Sequence, residues 1–228
     1  LGLVALNAQG VSGGVLQIAS DASLGQVPTA FEADHIILNG GRLENESVSV
    51  VVHANRGITV GSSGGRIDAQ DGTTVQVGTV AGTGAFTKSN TGTLIVGDGS
   101  GLSGQINLSN GTLAVASTSN LGTGLIDLRG GTITLQSADA GALTLLNELN
   151  LATSVTFGAP GTGDIVFQGG LNGGGGAKTF TVNNAVTTIE GEIIGTSSAF
   201  TKNGPGVLAL SGPNTYSKPW TINDGAVR

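Results

Sequence analysis

Residues 84–115 recur almost at the end of the chain, as residues 198–228, and the two copies align without a gap. Ala85, Phe86, Thr87 and Lys88 fall on Ala199, Phe200, Thr201 and Lys202. Gly92 and Leu94 fall on Gly206 and Leu208, Ser103 on Ser217, and Gly111 on Gly225. Internal repetition constrains a fold more than any other pattern, because it says that one structural unit is being stacked. A second echo supports the first: residues 14–25 match residues 111–122. It continues at Leu38-Asn39-Gly40-Gly41 against Leu128-Arg129-Gly130-Gly131, after an insertion through Gln26, Val27, Pro28, Thr29 and Ala30 in the earlier copy. Insertions between repeats usually map to loops on one face of a solenoid.

Composition says which kind of unit. Of 228 residues 41 are glycine and only 11% are charged, against roughly 7% glycine and about 25% charge in average proteins. Serine, threonine, asparagine and glycine must then solvate the surface, as in a β structure rich in turns. The 38% of hydrophobic residues argues against disorder, which needs the opposite balance. Short alternating runs separated by turn residues read as strands throughout. Examples are His35–Leu38, Ile58–Val60, Thr93–Val96, Thr112–Val115, Asp164–Phe167 and Val207–Leu210. Arg42–His53 is read as alternating, with Leu43, Val48, Val50 and Val52 on one side, and Leu143–Leu151 as one strand. No helix is predicted.

A sandwich does not need two distant segments to be alike, but a parallel β-helix does. With coils on the order of 20 residues, the expectation is one continuous all-β solenoid over residues 1–228, of about ten coils, with repeat copies near 84–116 and 198–228. At ~4.8 Å per coil it would be a rod of roughly 50 Å.

Several chemistries are disfavoured. The net charge is −6 with nine lysines and arginines and no basic cluster, so nucleic acid is not expected as a partner. No apolar run approaches the ~20 residues of a membrane helix, so no membrane insertion is expected. The absence of cysteine removes disulfides, thiolate metal sites and thiol catalysis. There is no methionine, and the chain stops at Val227-Arg228 inside a repeat that ran on past Val115 in the earlier copy. Leu1 is therefore read as no native start and the chain as a stretch of a longer repetitive protein, in which a missing targeting signal carries no information.

The motifs with catalytic overtones have plainer readings. Gly61-Ser62-Ser63-Gly64-Gly65 matches G-x-S-x-G, but that motif marks a nucleophile only on a strand-to-helix turn, and Arg66-Ile67-Asp68 follows. His35 and His53 flank apolar runs; a general base needs an identifiable partner, and two histidines with no shared spacing make a poor metal site. Glu44 with Glu46, and Glu190 with Glu192, are spaced to share a strand face. Paired acids can cleave polysaccharides, but no arginine, lysine and aromatic cluster accompanies them, and a solvated face is the reading. The glycine-rich stretch 169–179 has Ala177 where a phosphate loop needs glycine before lysine. Gly161-Thr162-Gly163-Asp164 is neither tandem nor spaced as a calcium coil. Tyr216 and Trp220, the only Tyr and Trp, read as packing at a coil corner rather than a sugar platform. No catalytic, cofactor-binding or metal-binding residue is assigned, and no cofactor.

Phe86-Thr87-Lys88, Gly92-Thr93-Leu94 and Asn110-Gly111-Thr112-Leu113 resemble the autotransporter-associated β-strand repeat, also called the passenger-associated transport repeat. In the later copy Leu208-Ala209-Leu210-Ser211-Gly212 and Asn214-Thr215-Tyr216-Ser217 carry the likeness. Flanks at 55–68, 16–25 and 113–122 extend it over most of 14–134 and 190–228, while 135–190 match poorly. Lys218-Pro219-Trp220 departs from the small residues usual there; proline is tolerated at a strand's first residue. The resemblance implies a right-handed β-helix in the exported passenger of a Gram-negative surface protein, helping the chain cross the outer membrane through a translocator of the same parent chain and serving as a secreted or surface-anchored stalk. Two alternatives stay open: an adhesin segment meeting a host or neighbouring-cell glycan or protein through loops 26–34 and 169–177, and a polysaccharide-degrading β-helix.

Overall fold

The computed structural model describes residues 4–7, 14–195 and 199–228. Ser198, where the second copy of the repeat opens, lies outside them. Every strand pair is parallel, and the chain visits three faces in turn. Face A is a nine-stranded sheet that starts at Val15–Ile18 and Arg42–Asn45, passes through Gly65–Asp68, Phe86–Ser89, Ile106–Leu108 and Ile126–Leu128, and ends at Ile193–Ile194. Face B carries 74–77, 93–96, 111–115, 133–137, 155–157, 178–182, 200–203 and 220–222. Face C carries Glu32–Asn39, Arg56–Val60 and residues 80–82, then resumes as a five-stranded sheet from Leu143–Leu145 to Ala226–Val227. Between those two parts its ladder thins to the Gly82–Leu102 bridge and the Thr123 N–H to Leu102 carbonyl bond. The chain is thus a parallel β-solenoid of about nine turns, and the described residues contain no α-helix, only a 3₁₀ turn at Asp21–Leu24.

The turns are longer than a strict 20-residue coil, which lowers the count from ten to nine. Thr87 pairs with Asn107, a turn of 20 residues, but Asp127 pairs with Asn150, a turn of 23. Val15 pairs with Arg42, so the first turn takes 27 residues and holds the insertion seen in the sequence.

Inside, side chains stack in columns along the axis, because each inward position sits in register with its equivalents above and below. On face A, Phe86, Ile106, Ile126, Leu149, Leu171 and Ile193 form one such column, all essentially unexposed. Near the C-terminal end the core turns aromatic. Phe180 meets Phe200 at 5.1 Å between centroids, and Phe200 meets Trp220 at 5.0 Å. Tyr216 stacks on Phe200 at 4.5 Å. Tyr216 and Trp220 both pack against this core, but Trp220 is the first residue of the face B strand Trp220–Ile222 rather than a corner residue.

The corner from face C to face A is a column of glycines: Gly84, Gly104, Gly124, Gly169, Gly191 and Gly212. A Cβ on Gly84 would lie 1.7 Å from the Gly61 carbonyl oxygen, and one on Gly124 would lie 1.8 Å from that of Gly104. Consecutive backbones touch here, so no side chain fits between them. Between Gly124 and Gly169 the column is interrupted by Asn147, which is buried and turns its amide inward to the carbonyls of Gly124 (2.6 Å) and Leu121 (3.2 Å).

Two strand readings are corrected. Leu143–Leu151 is two strands, Leu143–Leu145 on face C and Leu149–Leu151 on face A, because the Asn147 corner falls between them. Arg42–His53 also breaks. Ser47 takes a left-handed φ of 59° at the corner, which leaves Val48 exposed while Leu43, Val50 and Val52 are buried.

Candidate functional site

The two repeat copies are not in phase with the coil. Phe86 lies on face A, between Gly65 and Ile106, whereas Phe200 lies on face B, between Lys178 and Trp220. The echo behaves alike: Leu16 is on face A and its counterpart Leu113 on face B. Each recurrence advances the unit by one face. What recurs is a strand, a corner and the next strand, and the three sides of the coil are interchangeable to it.

Both copies preserve a buried cation. Lys88 and Lys202 point into the core and are fully buried. Lys88 Nζ donates to the carbonyls of Ser89 (2.6 Å), Asn90 (2.7 Å) and Asn110 (3.2 Å). Lys202 Nζ donates to those of Asn203 (2.8 Å), Gly204 (2.8 Å) and Asp224 (3.2 Å). Two acceptors belong to the lysine's own corner and the third to the next coil. Burial pushes the Lys88 ammonium down to about 8; Asp68 pulls it back up and Arg66 adds to the fall. Burial lowers Lys202 as well, with Asp224 opposing. Three carbonyl acceptors satisfy the three N–H donors of each ammonium, so the lysine stitches consecutive coils.

Another buried cation supports the insertion. Arg56 is fully buried. Its Nε donates to Asp21 Oδ1 at 3.0 Å, and its terminal nitrogens donate to the carbonyls of Leu24 (3.2 Å) and Gly25 (2.6 Å). It also donates to His35 Nε2 at 2.5 Å. Nε2 is then the acceptor, so the ring proton is on Nδ1 and is donated to Glu32 Oε2 at 2.7 Å. His35, considered as a general base, is thus a buried linker in a structural network. His53 is exposed and presents its backbone N–H to Asp21 at 2.9 Å. The loop above this network shapes a 260 Å³ hollow lined by Gln26, Val27, Pro28, Thr29, Glu32 and His35.

The remaining flagged groups are dispersed. Glu44 and Glu46 do not share a strand face: Glu44 is buried at the strand's end against Arg42, 3.0 Å away, and Glu46 lies on the exposed corner beyond it. Glu190 follows one strand and Glu192 precedes the next, with the Gly191 corner between them. Residues 61–65 make a turn into the strand Gly65–Asp68. Asp164 accepts the Val186 N–H at 2.8 Å. The stretch 169–177 is not a single loop, since Leu171–Asn172 is a face A strand and Lys178 Nζ ties the glycine corner through Gly175 (2.5 Å) and Gly176 (3.2 Å). Loop 26–34 is shorter than expected, because Glu32 already begins a strand. The two loops sit in the first and eighth turns, so they do not form one surface.

The outer faces differ in character. Face A carries an ionic ladder: Arg42 with Glu44, Arg66 with Asp68 and Arg129 with Asp127. Asn150 and Gln105 both donate to Asp127, at 2.9 Å each. Farther along, Glu148, Asn150, Asn172 and Glu192 line a groove of about 380 Å³ with Leu125 and Ile194. Face B has no outward charge across 74–77, 93–96, 111–115, 133–137, 155–157, 178–182 and 200–203, since Lys178 and Lys202 turn inward.

Comparison with known proteins agrees with the repeated geometry. The passenger-associated transport repeat family matches residues 86–115 and 200–228. The adhesin BmaC autotransporter of Brucella suis biovar 1 (strain 1330) is 32% identical over 200 residues, covering 85% of this chain and 5% of that protein. The chain therefore spans a small part of the curated relative's length. No solved structure matches. With the same lysine-centred corner in both matching stretches, the chain carries two copies of the passenger-associated transport repeat.

Proposed function

We propose that this chain is a stalk segment of an autotransporter passenger, displayed outside a Gram-negative cell, and that it is not an enzyme. The observation that carries the reading is the pair of lysine-stitched repeats within a continuous parallel ladder. Such a ladder grows coil by coil on a templating end. Folding outside the membrane then biases the chain outward, and the folded rod carries whatever lies beyond it. The acid pairs lie on corners and separate strand ends, which supports a non-catalytic role. A translocator of the same parent chain is the partner this role requires. Protease shaving of intact cells carrying the parent, with mass spectrometry of released peptides, tests the display. Peptides from this region without lysis are expected; peptides only after lysis would overturn it.

A second reading is adhesion, favoured by the relative's being an adhesin. The hollow over the Arg56 network is a preformed contact surface for it, because a fully satisfied buried cation holds the loop's shape. Deleting residues 26–31 and measuring adhesion of cells displaying the parent tests that loop; undiminished adhesion counts against it.

A further inference from the structure

We propose that face B is a binding surface for an uncharged linear polysaccharide lying along the solenoid axis. The inference rests on the adhesion reading and moves the contact from the loops to a sheet face. Six threonines stand in register on successive coils: Thr74, Thr93, Thr112, Thr134, Thr156 and Thr181. A second hydroxyl column runs beside it through Thr179, Thr201 and Thr221, which pair in order. Ser154 belongs to that column and accepts the Thr179 N–H at 2.9 Å. Hydroxyls therefore repeat at ~4.8 Å along the axis and roughly 6–7 Å across it. Threonine is β-branched, so its χ1 is confined and the array is rigid before anything binds.

Three features point to a neutral polyhydroxyl chain. First, the side-chain hydroxyls of Thr134, Thr156, Thr179 and Thr181 make no hydrogen bond within the described residues, so each is free to donate and accept. Second, the face has no outward charge on a chain of net charge −6, which disfavours acidic partners and gives a cation nothing to pair with. Third, the array holds a shallow trough of about 260 Å³ lined by Thr132, Ser154, Thr156, Thr179 and Thr181, with Gly131 at its edge. An extended β-linked hexose chain advances by nearly one rung per sugar. Successive sugars would then meet equivalent hydroxyls, and many weak contacts would add along the rod.

Calorimetric titration of the full chain with cellohexaose, mannohexaose, chitohexaose and hexagalacturonate tests this. At least one uncharged hexamer is expected to bind, and the acidic one is not. The triple substitution Thr134→Val, Thr156→Val and Thr181→Val keeps shape and β-branching, so it should leave the melting temperature in place and weaken binding by about tenfold or more. Thr87→Val on face A should leave binding unchanged. No binding of any uncharged hexamer, equal binding of hexagalacturonate, or wild-type affinity in the triple variant overturns the inference. Adhesion of cells displaying the parent separates it from the reading beneath it. Cells that adhere although the chain binds no hexamer keep the adhesin and lose this site. Cells that do not adhere although the chain binds a hexamer lose the adhesin and keep the site.

Discussion

Lys88 and Lys202 occupy the same three-carbonyl cage on two different faces of one solenoid. Lys88 sits on face A between Ile67 and Leu108, and Lys202 on face B between Phe180 and Ile222. Each reaches two carbonyls of its own corner and one of the coil beyond. A lysine is rarely buried without a partner. Here its charge is spread over carbonyls that would otherwise be short of donors at the corner.

Replacing Lys88 by methionine keeps the volume of the stem and removes all three donors. The carbonyls of Ser89, Asn90 and Asn110 then lose their charge-assisted bonds, and Lys88→Met should cost about 1–3 kcal/mol. Lys202→Met should cost less, because its third acceptor, Asp224, lies on an exposed corner that water reaches. Thermal melts of the two variants beside the wild type check the order.

The same residue sets a pH dependence. The folded chain releases the Lys88 proton at about 8 and the unfolded chain near 10.5. Between those values the unfolded state binds more protons, so stability rises with pH. The cost of holding a desolvated charge is present below about 8 and is relieved above it, where the neutral amine still donates. The melting temperature of the wild type, measured against Lys88→Met, should therefore rise from about pH 7.5 to about pH 9.5. A flat or falling difference would mean that the three carbonyls hold the ammonium charged against desolvation.

Much of this architecture is legible in the sequence, and what is hidden shares one cause. Strand positions from Ile58 to Val60, Thr93 to Val96 or Val207 to Leu210 follow from local alternation. The repeat shows that units stack, and Phe86 with Lys88 was visible as a pair recurring at Phe200 and Lys202. The phase of that repeat was not legible, because the three sides of the coil make the same local demands on the chain. Arg56 was equally hidden: Asp21, Leu24, Gly25 and His35 meet it only when the first and second turns are stacked. Asn147 looked like an interior strand residue, and only the glycines above and below it reveal a corner. The groove on face A and the threonine array on face B likewise exist only through register, which no single segment encodes.

Arg56→Met should destabilise the first two turns more than any surface change. It leaves Asp21 without its cation and the carbonyls of Leu24 and Gly25 without donors, in a setting where breaking a buried pair costs about 3–5 kcal/mol. The damage should be local, because neighbouring coils are the only ones each coil touches. Limited proteolysis should cut Arg56→Met within residues 20–31 under conditions where the wild type survives, with the later turns intact. Cleavage spread evenly along the chain would show that the solenoid opens as one unit.

The glycine corner offers the sharpest contrast. Gly84→Ala places a methyl 1.7 Å from the Gly61 carbonyl oxygen, and its nearest neighbours, Gly61 and Gly64, are backbone that no rotamer change can move aside. Gly72→Ala is the control: nothing lies within 4 Å of its added methyl, and only the φ of +68° resists. The control should cost on the order of 1 kcal/mol, the ordinary penalty for a left-handed alanine. Gly84→Ala must instead push two coils apart, so it should exceed that cost by several-fold and lower the yield of folded chain. Comparing the two melts separates contact between coils from backbone conformation. Equal losses would mean that the corner relaxes around the added methyl, since Gly84 has no left-handed φ to lose.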